Sequence, residues 1–340
     1  MAGETRSQAA LAEVEALVRE TFALWDVVRV GFSWRNYYLN HTYRIRNLSV
    51  QMAAAEGGDA DLLEMAAILH DITKRYDGNI LTGPDGKRVL DEEGFWRNEM
   101  IMPDRSNWVT ELYDELELQG LIHHVSGAVI TDRVLGEYGF EAPYRETVAE
   151  VVRGHLKPEN LSEAEFNRRY RLVESRILYD ADTIDPNVGL TAFYRNIQIN
   201  AGGWLRRGVT PDLGEYVRGL PRWVNMKDEF IDKMTTARGR EIAAERQQRN
   251  RQLCAQLVDE LEAFDLNEAY GMLGCVRYLM TDAEDPSLHR HARGLREQWL
   301  PEREQAIAEE RAHDRDAAAE SLQRARGFIA QLETEIAGQA

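Results

Sequence analysis

Histidines and aspartates recur in the first part of the chain at positions from which one or two metal ions can collect them. They are His41, His70-Asp71, His123-His124, His155 and Asp180-Ala181-Asp182. Neutral imidazole and carboxylate together suit Fe, Mn, Zn and similar divalent ions. The set centres on Leu69-His70-Asp71-Ile72-Thr73-Lys74, where a histidine and an acid stand side by side at the end of an apolar run. Alone, such a dipeptide more often marks a solvated helix end, and a single histidine on an apolar helix face is more often a hydrogen-bonded core residue than a ligand. Four apolar helices each presenting one reverse those odds. Five of the eight histidines fall in this stretch, while His289, His291 and His313 sit among charges and are expected to be solvated.

One ion can take His41, His70, Asp71 and an aspartate from the 180–182 segment, leaving positions for water or substrate. Asp71 has two oxygens and can bridge to a second ion, which finds His123 and His155 on its side. Paired metals polarise a phosphoryl oxygen and lower the pKa of a bound water, so metal-activated water is the expected nucleophile and Asp71 a catalytic residue. Lys74, three residues on, can neutralise phosphate charge near the ions as a second catalytic and substrate-binding group, or can simply complement a helix C-terminus. His123 and His124 differ by about 100° around a helix, so only one can face the site. Gly127 shares the face of His123, where a missing side chain lets a neighbouring helix or the metals approach closely, and this favours His123. Asp180 and Asp182 point about 200° apart, and periodicity alone does not choose between them.

Helices must position these groups. Residues 7–29 carry Leu11, Val14, Leu17, Val18 and Phe22 at helical spacing, broken by Gly31-Phe32-Ser33. Residues 34–56 place His41 on an apolar face with Tyr37, Ile45, Leu48 and Met52. Residues 60–70 are apolar nearly all round, which predicts a buried helix closed by His70-Asp71. From Asp77 to Ser106 Gly, Pro, Asp and charges predict a loop or lid over the site, with a turn at 82–87 that can join two short strands. Helical spacing resumes over 108–138, with a break at Gly120 and a cap at Gly139. It continues over 147–155, over 167–184 with the aspartates near its end, and over 190–199, while Leu161-Ser162 begins a polar connection.

The fold class is therefore all-α, a helical bundle with a charged helical extension. Residues 1–222 are expected to form the metal-binding domain. From 223 to 340 the chain turns to long charged segments with thin apolar stripes, Leu253, Leu257, Leu261 and Phe264 in one, and Leu322, Ala325, Ile329, Leu332 and Ile336 in another. Such stripes predict a hairpin or bundle docked on the main domain or on a second copy, hence a possible homo-oligomer. No internal repeat is visible. At 340 residues and a formal charge of −17, the chain is no general nucleic-acid binder, whose affinity would rest on basic residues. Cys254 and Cys275 make neither a metal motif nor a disulfide framework. With no apolar leader and no membrane-length apolar run, a cytoplasmic protein that does not enter membranes is expected.

The residues His41, His70-Asp71 and an aspartate near 182 resemble the His…His-Asp…Asp set of the HD superfamily of metal-dependent phosphohydrolases, over roughly residues 20–200. Asp180-Ala181-Asp182-Thr183-Ile184-Asp185 resembles the family's Ala-Asp-x-x-Asp/Glu stretch, whose liganding acid follows the alanine, which implies Asp182. His123-x-x-x-Gly127 and His155 resemble the two additional histidines of its dinuclear branches. His-Asp-Ile-Thr-Lys resembles their His-Asp-x-x-Lys. No Gly-Tyr-Pro follows Lys74, the 77–106 insertion is long, and the charged tail has no counterpart in the shared pattern. The resemblance implies one or two divalent transition-metal ions (Mn, Fe, Co, Ni or Zn) and a small phosphorylated, nucleotide-like substrate. The same ligand set also resembles the family's mixed-valence di-iron oxygenases, and a third reading is a regulatory protein with a structural metal site. Hydrolysis is favoured by cations expected to flank the site: Lys74, Arg44, Lys87-Arg88, Arg97 and Arg195, the last beside Phe193 and Tyr194, which can hold a base or sugar.

Overall fold

The computed structural model describes residues 2–26, 29–30, 33–158, 161–310 and 312–339, so Gly31 and Phe32 of the expected first break, and the side chain of His313, lie outside the described residues. Helices make up nearly all the regular structure, as the all-α expectation requires. Among the described residues the strands form two small antiparallel pairs. The chain divides into two compact units, Met1–Asp182 with Thr235–Arg238, and Thr183–Met234 with Gly239–Ala340. The expected boundary at 222/223 falls inside the second unit.

The first unit opens with α1 (Ala2–Phe22), a short β1–β2 pair (Arg29–Val30 with Ser33–Trp34) and α2 (Arg35–Glu56). Gly57 ends α2 at φ 75°, a left-handed conformation that favours glycine, and its N–H bonds back to the Ala53 carbonyl. The helix α3 (Ala60–Leu69) is the centre of the unit: Asp59 caps its start, and Leu62, Leu63 and Met65 through Leu69 are all buried. It packs on α1 and α2 and on a later helix over Ala142–Gly154. That burial explains why its sequence is apolar nearly all round. Its C-terminal cap is His70, followed by a tight 3-10 turn at Lys74–Tyr76.

The insertion is built as two antiparallel strands, β3 (Asp77–Ile80) and β4 (Asn98–Met100), extended by bridges Thr82–Arg88 and Leu90–Trp96. The 82–87 turn is present, with the Gly83 N–H on the Lys87 carbonyl at 2.8 Å. The helical stretch expected at 108–138 is two helices, α4 (Trp108–Glu115), capped by Asn107, and α5 (His123–Glu137). Gly120, at φ 84°, lies in the connection between them. Beyond them come α6 (Ala142–Gly154), α7 (Glu163–Arg169) and α8 (Val173–Asn187). The polar connection expected after Leu161 is in fact the short helix α7, begun by a reciprocal Ser162–Glu165 capping box.

The second unit holds α9 (Leu190–Arg206), α10 (Leu213–Met226), α11 (Glu229–Asp232), α12 (Ala237–Asp259, from Gly239), α13 (Phe264–Tyr270), α14 (Met272–Leu279), α15 (Leu288–Gly294), α16 (Leu300–Glu309) and α17 (Ala312–Ile336). Its core joins Leu190, Phe193, Tyr194 and Ile197 of α9 to Val217 and Leu220 of α10. The two stripes join the same core: Leu253 and Leu257 of α12, and Leu322, Ala325, Ile329 and Leu332 of α17, are buried in it. They are thus covered by helices of their own unit. Cys254 and Cys275 are free and buried. Among the described residues no helix is long and apolar enough to cross a membrane.

Candidate metal centre

Six side chains meet in the first unit, each delivered by a helix or helix end. His41 points inward from α2, His70 and Asp71 follow the last turn of α3, His123 opens α5, His155 caps α6, and Asp182 comes from α8. Asp71 lies between the histidines. Its Oδ2 is 3.5 Å from His70 Nε2 and 3.9 Å from His41 Nε2, and its Oδ1 is 3.4 Å from His123 Nε2 and 3.7 Å from His155 Nε2. Asp182 Oδ1 closes the first group, 3.0 Å from His41 Nε2 and 3.7 Å from His70 Nε2. Two sets can hold an ion, His41, His70 and Asp71, and Asp71, His123 and His155, with Asp71 common to both.

The outer nitrogens fix the rings. His70 Nδ1 is 2.6 Å from the Ala67 carbonyl oxygen, and His155 Nδ1 is 2.7 Å from that of Val152. A carbonyl only accepts, so each Nδ1 carries the proton and each Nε2 offers its lone pair inward in the neutral ring. His123 repeats the arrangement with a carboxylate, its Nδ1 2.5 Å from Asp77 Oδ2. Asp77, the first residue of the insertion, was not singled out in the sequence, where an acid at the head of a polar loop looks like any other. Thr73 Oγ1 donates to the His123 carbonyl at 3.1 Å and so ties the turn after Asp71 to the start of α5.

The chemistry of this donor set suits a divalent metal. His70 Nε2 and His155 Nε2 are fully buried with no hydrogen-bond partner. Orphaned acceptors of this kind are costly unless something electron-poor sits among them. Burial, helped by His70 and His123, pushes the His155 imidazole down to about 3, so it is neutral and able to ligate. Burial works against ionisation of Asp71, yet the fields of His70, His123 and Lys74 outweigh it and hold its carboxyl below the usual range. Asp182 is held well below that range too: burial opposes its charge, and the hydrogen bond with His41 together with the nearby His70 ring overcomes it.

The alternatives left open by spacing separate clearly in space. His124 turns away from Asp71 to Phe95 of the insertion, ring centroids 4.2 Å apart, and to Arg169 Nη2 at 3.4 Å. Gly127 lies where a Cβ would stand 3.4 Å from both the His70 carbonyl oxygen and Thr73 Oγ1, so the close neighbour is the turn carrying the His-Asp pair. Asp180 points to a different structure, accepting from Thr235 N–H and Oγ1 at 2.8 and 2.9 Å and from Thr236 N–H and Oγ1 at 2.8 and 2.7 Å. Lys74 Nζ stands over the His123 ring, 3.3 Å from Nδ1 and 3.4 Å from Nε2.

Other expected residues lie elsewhere. Arg44 is buried on α2 over the Tyr37 ring, Lys87 is exposed beside Asp85, Arg88 stacks on Trp96, and Arg97 lies in the insertion. Arg195 is half-buried on α9 of the second unit. Phe193 and Tyr194 are not free to hold a base or sugar, because both are core residues of that unit. His291, expected in solvent, is buried with Nδ1 3.0 Å from the Tyr194 hydroxyl, while His289 is exposed.

The first unit is thus a helical domain that gathers histidines and aspartates from five helices around one shared carboxylate, an arrangement able to hold metal. Residues 38–187 match the HD domain family, and this stretch is an HD domain. Among solved structures the chain is similar to a predicted HD superfamily hydrolase from an uncultured Thermotogales bacterium, at 18% identity and a TM-score of 0.42, over 74% of this chain and 92% of that one. It is also similar to Bacillus subtilis YpgQ, at 18% identity and a TM-score of 0.39, over 76% of this chain and 96% of that one. The same protein in complex with ADP gives 18% identity and a TM-score of 0.38 over the same shares. No curated protein sequence matches the chain.

Proposed function

We propose that the first unit hydrolyses a phosphoester or phosphoanhydride bond of a small, nucleotide-like or otherwise phosphorylated substrate. The observation that carries the reading is the pair of buried, unpartnered imidazole nitrogens, His70 Nε2 and His155 Nε2, facing opposite oxygens of Asp71. His41, His70, Asp71 and Asp182 would hold one divalent transition metal, and Asp71, His123 and His155 a second. Bound there, such ions polarise a phosphoryl oxygen and lower the pKa of a bound water to near neutrality. The chain's own groups do the rest. Asp71 holds the two groups at a fixed separation through its two oxygens. Nδ1–H bonds to Ala67, Val152 and Asp77 keep three imidazoles in the tautomer that presents Nε2. Lys74, half-buried beside His123, places a positive charge at the edge of the cluster where a phosphate can be neutralised.

The test is metal content together with turnover on a phosphoester panel, in the presence and absence of oxygen. Release of phosphate or a nucleoside monophosphate under anaerobic conditions with Mn or Co is the expected result. Asp71→Ala should lose most bound metal and all turnover, and His289→Ala should lose neither. Strict O₂ consumption with a di-iron absorption band would replace hydrolysis by oxygenation, and absence of bindable metal would remove the catalytic reading altogether.

A further inference from the structure

On the Nδ1 side of the His123 ring lies a cavity of about 410 Å³, between the insertion and the connection that joins α4 to α5. Asp77 and Tyr113 line its buried end, Tyr76 and Trp96 are aromatic walls, and Met100 and Leu121, 43% and 41% exposed, stand at its rim. Both side chains at the buried end are only partly matched. Asp77, 9% exposed, gives Oδ2 to the His123 backbone N–H and ring Nδ1, and among the described residues Oδ1 accepts nothing. Tyr113, 1% exposed, stacks on Tyr76 with ring centroids 4.1 Å apart. The Tyr76 hydroxyl is bonded to Thr110 at 3.0 Å, whereas that of Tyr113 has no partner among the described residues. Neither Asp77 Oδ1 nor the Tyr113 hydroxyl is sealed inside the protein, so both open to the cavity that their side chains line. Burial, with the field of Asp77 adding to it, pushes the Tyr113 hydroxyl up and keeps it protonated.

The lining selects a class of ligand. No lysine or arginine among the described residues pairs with Asp77, whose ion-pair neighbour is the His123 ring. One oxygen of a buried carboxylate is thus left without a donor, which is costly, and a cation bearing N–H groups removes the cost. Aromatic walls add attraction for a positive head. At the rim the carboxylates of Asp91 and Glu99 outnumber the one guanidinium, Arg97, and all three are exposed. We propose that this cavity binds a small organic cation, an amine or guanidine, with its N–H groups on Asp77 Oδ1 and the Tyr113 hydroxyl and its apolar part against Trp96 and Leu121. The cation and the His123 ring then share one carboxylate, an oxygen each.

Thermal unfolding and calorimetric titration of the full chain at constant ionic strength test this. The probes are methylguanidinium and putrescine, with urea as the neutral counterpart of a guanidinium and tetramethylammonium as a cation without N–H. Methylguanidinium or putrescine at millimolar concentration should raise the melting temperature by about 2–4 °C, and urea and tetramethylammonium should not. Tyr113→Phe should weaken the active probe by about threefold to tenfold, the worth of one hydrogen bond. The same variant should leave the ligand-free melting temperature unchanged, because the hydroxyl has no partner to lose. Leu121→Trp, which narrows the mouth without touching Asp77, should weaken the probe as well. The rise should persist in Asp71→Ala, which separates this cavity from the carboxylates of the metal centre. The proposal fails if neither cation shifts unfolding, if urea or tetramethylammonium does so equally, if either cavity variant binds the probe as tightly as wild type, or if the shift disappears in Asp71→Ala.

Discussion

Asp77 Oδ2 accepts from the His123 backbone N–H at 3.4 Å and from its ring Nδ1, and the orientation of the ring depends on the second bond. An Asn in place of Asp77 offers a weaker acceptor on one side and a competing donor on the other, so the imidazole loses both its tautomeric bias and its anchor. Asp77→Asn should weaken metal binding by about 10–100-fold with the helical circular-dichroism spectrum unchanged, as measured by competition with a chelator. His291 makes a different prediction. Burial pushes its imidazole down to about 4, so the folded chain resists a proton that the unfolded chain accepts near 6.5. The contribution is fully present above pH 6.5 and is lost as the pH falls from there through 4, by roughly 3 kcal/mol. His291→Gln, which retains a partner for Tyr194, should flatten the acid side of the stability curve in that window, read by denaturant unfolding across pH. The metal-site candidates were legible because their chemistry is rare on apolar helix faces. His291 was not, because its flanking Arg290 and Arg293 made a buried position on a short helix look like solvent.

Helices in the second unit are joined end to side. Glu335 of α17 accepts from the N–H groups of Leu190, at 2.6 Å, and Thr191, and so caps the start of α9 from far along the chain. Gly189 holds φ 87° there, and a Cβ on it would collide with the same carboxylate. Glu335→Ala removes the cap and leaves Arg246 buried without its 3.9 Å partner. It should cost about 3–5 kcal/mol in chemical unfolding, with Glu335→Gln costing less because it still accepts from the helix. Periodicity announced most helices, since a buried face every three to four residues is a local signal. It could not say that the stripes of α12 and α17 meet α9 and α10, because nothing in a stripe names the surface that covers it. The insertion's turn was readable from Gly83-Pro84-Asp85-Gly86, whereas the inward aim of Phe95 and Asp77 depends on residues far away in sequence. Ser162 and Glu165 did carry a readable helix start for α7.

At the scale of the whole molecule the segments of the two units alternate along the sequence. The chain leaves the first unit after Asp182 and returns to it at Thr235–Arg238, where the four donors of Thr235 and Thr236 receive Asp180. Burial lifts the Asp180 carboxyl to about 6 even against those four bonds, so without them the carboxylate is far more costly to keep inside. A chain ending at Trp223 loses that clasp and also bares Leu190, Phe193, Val217 and Leu220, which should yield insoluble or dye-binding protein, checked by yield and ANS fluorescence. The same alternation sets a schedule for birth on the ribosome. Domains generally fold as units, from the N-terminus, while synthesis proceeds at about 5–20 residues per second. Here the amino-terminal unit stays unfinished until residues 183–234 have been made and Thr235–Arg238 has followed them out, so for several seconds the nascent chain carries the HD domain with Asp180 waiting for its donors. A chaperone that shields that carboxylate, or a pause placed just after Arg238, would act on this interval and on no other part of the first unit.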